Sequence, residues 1–446
     1  MLAMASAPGA AVRAVASLRE LVALAPVARL LATASVALGT PVYLVGGCVR
    51  DWLLGREPLD WDVVVPGEPA ALLAWLRREA RVRGSVVLDP ELAIHRVLLA
   101  DGGVIDVARM TDDNMRADLT RRDLTINAMA VDTAGNLIDP LSGYADLCAA
   151  LVRAPSRGNL EADPVRLLRT FRFAASLGFT LDPATRGWVE DLAPLIARPA
   201  GERLLQEWHK LLAAPACHPH LAAMGAAGLL GPALGVAAGD LPEGRARLAA
   251  LDAWLTEAVG PAWRRLAAWL AEPVTGDRPR RTTLALTVLS LDAGAAGPGP
   301  VGDRLRWSRR EQRLAEVWAA TAERLEALLR EGRPPRGWHR LCRDAGEALP
   351  ALPALVASRA PDLRGPAGEA LAACWERLDQ PLPRHLNGRD VMAALGIPPG
   401  PPVAELLAAL EEETALGTVT DRESALHWAR MAWRSGVHDG REPTSS

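Results

Sequence analysis

In the stretch LDWDVVV, Leu59 to Val65, two aspartates sit one residue apart inside an apolar run. Carboxylates at i and i+2 of a strand project from the same face. Two anions held that close disfavour each other's ionised form unless positive charge compensates them. A divalent metal does this well, because hard carboxylate oxygens, water and phosphate oxygens complete the octahedron of Mg²⁺. Asp60 and Asp62 are thus candidate catalytic and metal-binding residues, and Asp106, in the apolar run VIDVAR, offers the third acid that a two-metal site needs. Taken alone, the D-x-D pair is more readily a turn cap or a partner for arginine.

Its neighbours favour chemistry. Gly46 and Gly47 follow a short apolar run and precede a helical pattern, leaving backbone N–H groups able to approach a phosphate. Arg50 and Asp51 come in the first turn of that helix. Downstream, RRDLTINAMA places Arg121, Arg122, Asp123 and Asn127 just before another apolar run. The arginines are suited to a triphosphate, and Asp123 or Asn127 to ribose hydroxyls; a solvated helix end is the plainer reading of the arginine pair.

The elements that would hold these groups alternate between residues 40 and 140. PVYLV, LDWDVVV, SVVLD, HRVLLA, GVIDVAR and NAMAVDTAG read as strands, and PAALLAWLRREARV as a helix. Before them, arginines and a glutamate at helical intervals in an Ala/Leu-rich segment predict a leading amphipathic helix. After Asp139 apolar residues recur at three and four, predicting a helical remainder. Breaks fall at DAGAAGPGPVGD (292–303) and IPPGPPV (397–403), with a helix from about 404 and a frayed Ser-rich tail after Gly440. The expected divisions are 1–39, 40–140, 141–232, 233–380 and 381–440.

At 446 residues the chain is too long for one ordinary core. Its net charge of −3 argues against indiscriminate coating of nucleic acid, without excluding a local basic face. Lys210 is the only lysine, so nearly all positive charge is arginine, which suits bidentate phosphate contacts. Cys48, Cys148, Cys217, Cys342 and Cys374 lie far apart without a C-x-x-C pair, as in a reducing compartment. No uninterrupted apolar run of about 18 residues is present. A cytoplasmic protein without membrane association is the expectation. Cys217, His218 and His220 form a CHPH cluster with no second cluster to complete a metal site.

Five ordered segments carry a resemblance. LVGGCVRDWLLGREPLDWDVVV, RRDLTINAMAVD, DTAGNLIDPLSGYADL and EADPVRLLRTFRFAASLGF, and more loosely LNGRDVMAALGIPPGPPVAELLAAL, resemble the motifs of the class II tRNA nucleotidyltransferase (CCA-adding) and bacterial poly(A) polymerase family. The likeness covers about 41–232 closely and 385–430 loosely. It implies an α+β fold: a nucleotidyltransferase β-superfamily head with a mixed sheet, then all-α neck, body and tail, the tail binding tRNA. It implies that Asp60, Asp62 and Asp106 bind Mg²⁺. Gly46, Gly47, Arg50, Arg121, Arg122, Asp123, Asn127, Asp163, Arg166 and Arg169 would bind the nucleotide.

In ADPVRLLR, Asp163 and Arg166 stand where the family carries its templating Glu-Asp-x-x-Arg, with Ala162 replacing the glutamate. Aspartate only accepts hydrogen bonds and arginine only donates. Cytosine and adenine offer an amino donor beside ring acceptors and satisfy both, whereas uracil and guanine set a carbonyl against the carboxylate, at about 1–3 kcal/mol for the mismatch. A second departure concerns length. Residues 107–120 alone separate Asp106 from Arg121, where CCA-adding bacterial members carry a longer flexible segment. The shortening resembles the CC-adding subgroup, which implies transfer of two cytidines from CTP to a tRNA 3′ end and a separate A-adding enzyme acting on the product. Complete CCA addition with CTP and ATP is the alternative, and a poly(A) polymerase the third. A binding protein with a dead head conflicts with the presence of Asp60, Asp62, Asp106, Asn127 and Arg166 together. GERLLQEWHKLL is expected to brace the neck helices. Arginines of 276–283 and 302–313 are candidates for tRNA phosphates or for solvated helix faces.

Overall fold

The computed structural model describes residues 12–58, 60–90, 93–237, 239–257, 259–291 and 297–435. They fall into two compact units, one running to Leu241 and including Arg304–Arg306, the other holding Pro242–Asp303 and the chain from Trp307.

The first unit opens with α1 (Ser17–Leu24) and α2 (Pro26–Leu38), followed by β1 (Tyr43–Val45), α3 (Gly47–Leu53), β2 (Asp60–Val65) and α4 (Ala70–Glu79). β3 (Val82–Asp89), β4 (Ile94–Leu99), β5 (Val104–Arg109), α5 (Met115–Thr120), β6 (Ala130–Val131) and β7 (Leu137–Ile138) complete a seven-stranded mixed sheet in the order β3-β4-β5-β2-β1-β6-β7. Only β2 and β5 run parallel; the other neighbours are antiparallel. The expected mixed-sheet head and helical remainder are both present.

Alternation along β2 separates core from chemistry. Trp61, Val63 and Val65 join Val97, Leu99, Ile105 and Val107 in a core that α1, α2 and α4 cover with Leu18, Leu21, Leu31, Leu72 and Leu76. Asp60, Asp62 and Val64 therefore share the opposite face. Val64 is sealed by Val45, Met110, Leu119, Ala128 and Ala130, so the aspartates occupy the open end of a strand whose other end is packed on both faces.

Some sequence readings shift. The leading amphipathic segment is two helices, α1 and α2, bent by 83°. Pro26 opens the second, and its missing N–H and ring cannot continue the first. The NAMAVDTAG strand shrinks to Ala130–Val131, because Thr125–Asn127 forms a 3₁₀ turn that puts Asn127 on the site rather than in the ladder. Residues 292–296 and the tail after Gly440 lie outside the described residues, but Gly299–Leu305 is helical where a linker was expected. The helix expected from 404 begins at Pro401, an N1 position that suits proline. Among the described residues no single helix is long and apolar enough to cross a membrane.

After the sheet come α6 (Gly143–Cys148), β8 (Leu151–Val152), α7 (Arg157–Ala162), α8 (Val165–Leu177), β9 (Thr180–Leu181), α9 (Pro183–Leu192) and α10 (Gly201–Leu212). The second unit is helical apart from a small hairpin, Pro273–Thr275 with Arg278–Pro279. Its last three helices, 388–395, 401–415 and 422–434, share a core of Val391, Leu406, Leu410 and Ala425. The arginines proposed for RNA are largely committed within each unit. Arg278 forks onto buried Glu311, Arg280 holds Glu272 and the Trp269 carbonyl, and Arg304 donates to the carbonyls of Pro199 and Ile196. Arg306, Arg309 and Arg313 stay exposed.

Gly143 starts α6 directly under the turn that carries Asn127, and a Cβ there would drive into the Thr125 carbonyl. Gly143→Ala is expected to lower unfolding stability by about 1–3 kcal/mol, the scale of overpacking against backbone. An unchanged midpoint in urea would show that the 3₁₀ turn yields freely.

Candidate active site

The register places Asp62 directly beside Asp106 across the parallel β2–β5 pair, with Asp60 beside Val104 on the same face. Asp106 is also the cross-strand partner of Arg96, which forks onto both its oxygens at 2.8 and 2.7 Å. Burial pushes the Asp62 carboxyl above its ordinary value; the Arg122 guanidinium pulls it down, Asp106 and Asp60 push it further up, and Arg50 lowers it again, leaving a net rise. A buried carboxylate strained by two others is a site short of positive charge. Three hard oxygen donors on one rigid face fit a divalent ion such as Mg²⁺.

Gly46 and Gly47 stand against these acids. Gly46 has φ +75°, and a Cβ on it would meet Arg122 Nη1 at 2.8 Å and Asp62 Oδ2 at 3.5 Å. Its N–H is held by the Met129 carbonyl at 2.9 Å, so the turn is fixed to the end of β6. Glycine here meets both demands at once: a left-handed backbone and room for a guanidinium.

Behind the turn runs a chain of buried ion pairs. Arg50 donates to Asn127 Oδ1 at 2.5 Å and to Asp51 at 2.7 and 2.9 Å. Asn127 Nδ2 and the Leu124 N–H donate to Asp123 Oδ1, while Arg169 forks onto Asp123 Oδ2 at 2.9 and 2.7 Å. Burial would raise the Asp123 carboxyl, but the Arg169 charge and the hydrogen bonds from Arg169 and Asn127 outweigh it and hold it below the ordinary range. Arg169 continues to Glu207 at 3.0 Å, and Arg172 reaches the same carboxylate at 2.6 Å. Burial lowers the Arg172 guanidinium to about 10 against the pull of Glu207. Arg50, Arg169 and Arg172 surround the Phe173 ring, with Arg172 3.6 Å from its centroid. Asp123 and Asn127 are thus already bonded to one another and to arginine, as a brace.

Asp163 and Arg166, the pair expected from the sequence to read a base, lie beside this brace. Asp163 is extended backbone just before α8 and Arg166 sits in the helix's first turn; their side chains approach to 3.9 Å. Arg166 donates to the Asn159 carbonyl, and Arg203 from α10 holds Asp163 Oδ2 at 2.8 Å. A cavity of about 370 Å³ opens here, lined by Arg122, Asp123, Asp163, Arg166, Arg169, Arg203 and Glu207 among others. Arg121 is exposed at the end of α5, and Arg122 pairs with Asp118 at 3.1 Å. A larger cavity of about 740 Å³ in the second unit, near Cys342, Arg377 and His385, contains none of the predicted site residues.

Sequence reasoning missed Arg96, Arg172, Phe173, Arg203 and Glu207. Arg203 and Glu207 were legible as an i, i+4 pair on one face of GERLLQEWHKLL, which forms a wall of the cavity as well as a neck helix. Arg96 had no such signal, since its partner is ten residues away on the next strand.

Comparison with known proteins gives the family. Residues 42–153 match the family model for the poly A polymerase head domain, and 178–235 that for a probable RNA- and SrmB-binding site of polymerase A. A CC-adding tRNA nucleotidyltransferase of Geobacter sulfurreducens is 36% identical over 437 residues, covering 90% of this chain and 94% of that one. An A-adding tRNA nucleotidyltransferase of Deinococcus radiodurans is 33% identical over 418 residues, covering 86% and 93%. In fold, the chain matches the Thermotoga maritima CCA-adding enzyme complexed with tRNA at a TM-score of 0.70 and 23% identity, over 94% of this chain and 99% of that one.

Because folding raises the Asp62 carboxyl, its ionisation opposes folding at neutral pH, and that penalty fades as pH falls toward the ordinary carboxylate value. Asp62→Asn is expected to raise the thermal midpoint in EDTA at pH 7, with a gain that shrinks toward about pH 4. A midpoint at or below that of the parent at pH 7 would contradict the reading of Asp62 as an uncompensated charge.

Proposed function

Because this chain belongs to the family of tRNA nucleotidyltransferases, we propose that it adds two cytidines to the 3′ end of tRNA and stops, as a CC-adding member. The observation that carries the choice is the segment after Asp106. The segment 107–120 is short and pinned to the head at Met110, Asp118 and Leu119, which are buried, with 112–114 exposed between them; Asp118 receives the Thr111 N–H and hydroxyl and the Arg122 guanidinium. Such a segment holds one shape of nucleotide site and offers no mobile loop to remould it for ATP. The 36% identity to a CC-adding relative supports the same reading.

In the proposed reaction the tRNA 3′-oxygen bonds to the α-phosphorus of CTP as the bond to the bridging oxygen breaks, releasing pyrophosphate and a proton. Asp60, Asp62 and Asp106 would hold Mg²⁺, which supplies charge neutralisation of the triphosphate and a more acidic 3′-hydroxyl. The Gly46–Gly47 backbone approaches the phosphates without a side chain in the way. Arg122, beside Asp62 and Gly46, and exposed Arg121 donate to phosphate oxygens. Arg50, Asp123, Asn127 and Arg169 hold one another rigid beneath the nucleotide. Asp163 keeps an oxygen for the cytosine amino group while Arg203 holds the other, and Arg166 donates to N3 and O2. The product would pass to a separate adenosine-adding activity in the cytoplasm.

A tRNA transcript ending at its discriminator base, given CTP and ATP with Mg²⁺, is expected to gain two cytidines and no adenosine. A terminal adenosine overturns the CC reading, and long adenosine tails point to polymerase activity. Asp60→Ala should abolish incorporation while tRNA affinity stays near that of the parent; residual activity would remove Asp60 from the metal site. Asp163→Ala should cut discrimination of CTP over UTP about tenfold, the weight of one buried unpaired acceptor. Unchanged selectivity would take Asp163 out of base reading.

A further inference from the structure

Asn159 lies outside both the acid cluster and the cavity lining, yet every polar atom of it is in use. Its Nδ2 donates to the carbonyls of Thr120 and Arg122, both at 2.8 Å. Its Oδ1 accepts the Ser156 hydroxyl at 2.7 Å, and its own N–H donates back to that oxygen. Its carbonyl accepts Nη1 of Arg166 at 3.2 Å. Two donors on one nitrogen with an acceptor beside them is the inventory of a primary amide.

The two carbonyls matter for where they stand. They flank Arg121 at the end of α5, where a helix leaves its last carbonyls without partners. The N–H groups of Arg121 and Arg122 take the carbonyls of Asp118 and Leu119. Asn159, from α7, takes the next one and the carbonyl of Arg122 itself, so the backbone carrying both arginines is held from outside α5. On its other side, the Arg166 guanidinium makes one hydrogen bond among the described residues, the one to Asn159, and Asp163 stays at 3.9 Å. Buried Leu160, next in α7, keeps Asn159 from shifting.

Arg122 and Arg166 line the same cavity. Arg122 is its end beside Asp62 and Gly46, and Arg166 its end beside Asp163. A nucleoside triphosphate held at both ends needs the two guanidiniums at one spacing, because its phosphates and its base edge belong to one molecule.

We propose that Asn159 is a positioning residue for the incoming nucleotide: it touches no substrate atom, but sets the spacing between the guanidinium that meets the triphosphate and the one that meets the base. The inference rests on the nucleotidyl-transfer reading of the site. The rival role is a staple that only keeps α5 and α7 folded, and inorganic tripolyphosphate separates the two. It engages the phosphate grip alone and is indifferent to where Arg166 stands, whereas CTP needs both.

Asn159→Ala in the full chain should raise the KM for CTP about tenfold, the weight of two hydrogen bonds, and lower the preference for CTP over UTP. The Ki of tripolyphosphate against CTP, and the KM for a tRNA lacking its 3′ end, should stay at the parent's values. Ser156→Ala keeps Asn159 but removes the hydroxyl that orients its amide; it should move the CTP KM the same way by less, and it carries the test if the first variant does not fold. A CTP KM that moves in neither variant overturns the assignment. So does a tripolyphosphate Ki that rises in step with it, which would make Asn159 a staple. If the parent transfers no CMP, the transfer reading itself fails; if it does and the variants match it, only the role of Asn159 fails.

Discussion

Like charge held on one sheet face is the constraint around which the first unit is organised. Asp60, Asp62 and Asp106 are placed together by strand register, which no side-chain movement can relieve. Their repulsion is partly met by Arg96 across the β4–β5 ladder and by Arg122 and Arg50 at the glycine turn. The upward shift of Asp62 measures what is left over. A face so built favours whatever brings further cations to it, and a strand buried on its other face keeps the acids from drifting apart. Stability is given up locally in exchange for a fixed array of donors.

The second arrangement, Arg50–Asn127–Asp123–Arg169–Glu207–Arg172, solves the opposite problem. Here arginines are taken out of water, and each must find a carboxylate or an aromatic face. Arginine suits this better than lysine, because its planar fork satisfies two oxygens at once and stacks on Phe173. The chain joins three separate segments: α3, the 3₁₀ turn with its flanks, and α8 with α10. It therefore couples the floor of the phosphate region to the wall that carries Arg203, which in turn steadies Asp163.

Much of this was legible in the residues. The D-x-D strand, the third acid, the Gly-Gly turn and the Asp163–Arg166 pair fell together because each has a short local pattern. The partners that hold them did not. Arg96 is set opposite Asp106 by hairpin register, and the bulges between Val82 and Gly84 and between Val87 and Asp89 are invisible to a period-two pattern. Asn127 looked like the start of a strand because the apolar run AMAV follows it, while the geometry of its 3₁₀ turn is tied to Gly143 beneath it and to Asp123 ahead of it. Arginines 278, 280 and 304 were readable as RNA contacts or as solvated helix faces, since sequence shows charge but not the acid or carbonyl that each already holds.

The proposed CC-adding activity would rest on a site that cannot be reshaped. A pocket whose acceptors and donors are each tied by a second bond exchanges one base edge for another only by breaking those bonds. Asp163 is anchored by Arg203, Arg166 by the Asn159 carbonyl, and Asn159 itself by the carbonyls of Thr120 and Arg122. That last contact links the Asp163–Arg166 corner to the end of the short 107–120 segment. In the CC-adding activity proposed above, termination would need no sensor of product length: it would follow from a pocket that these bonds hold in one shape.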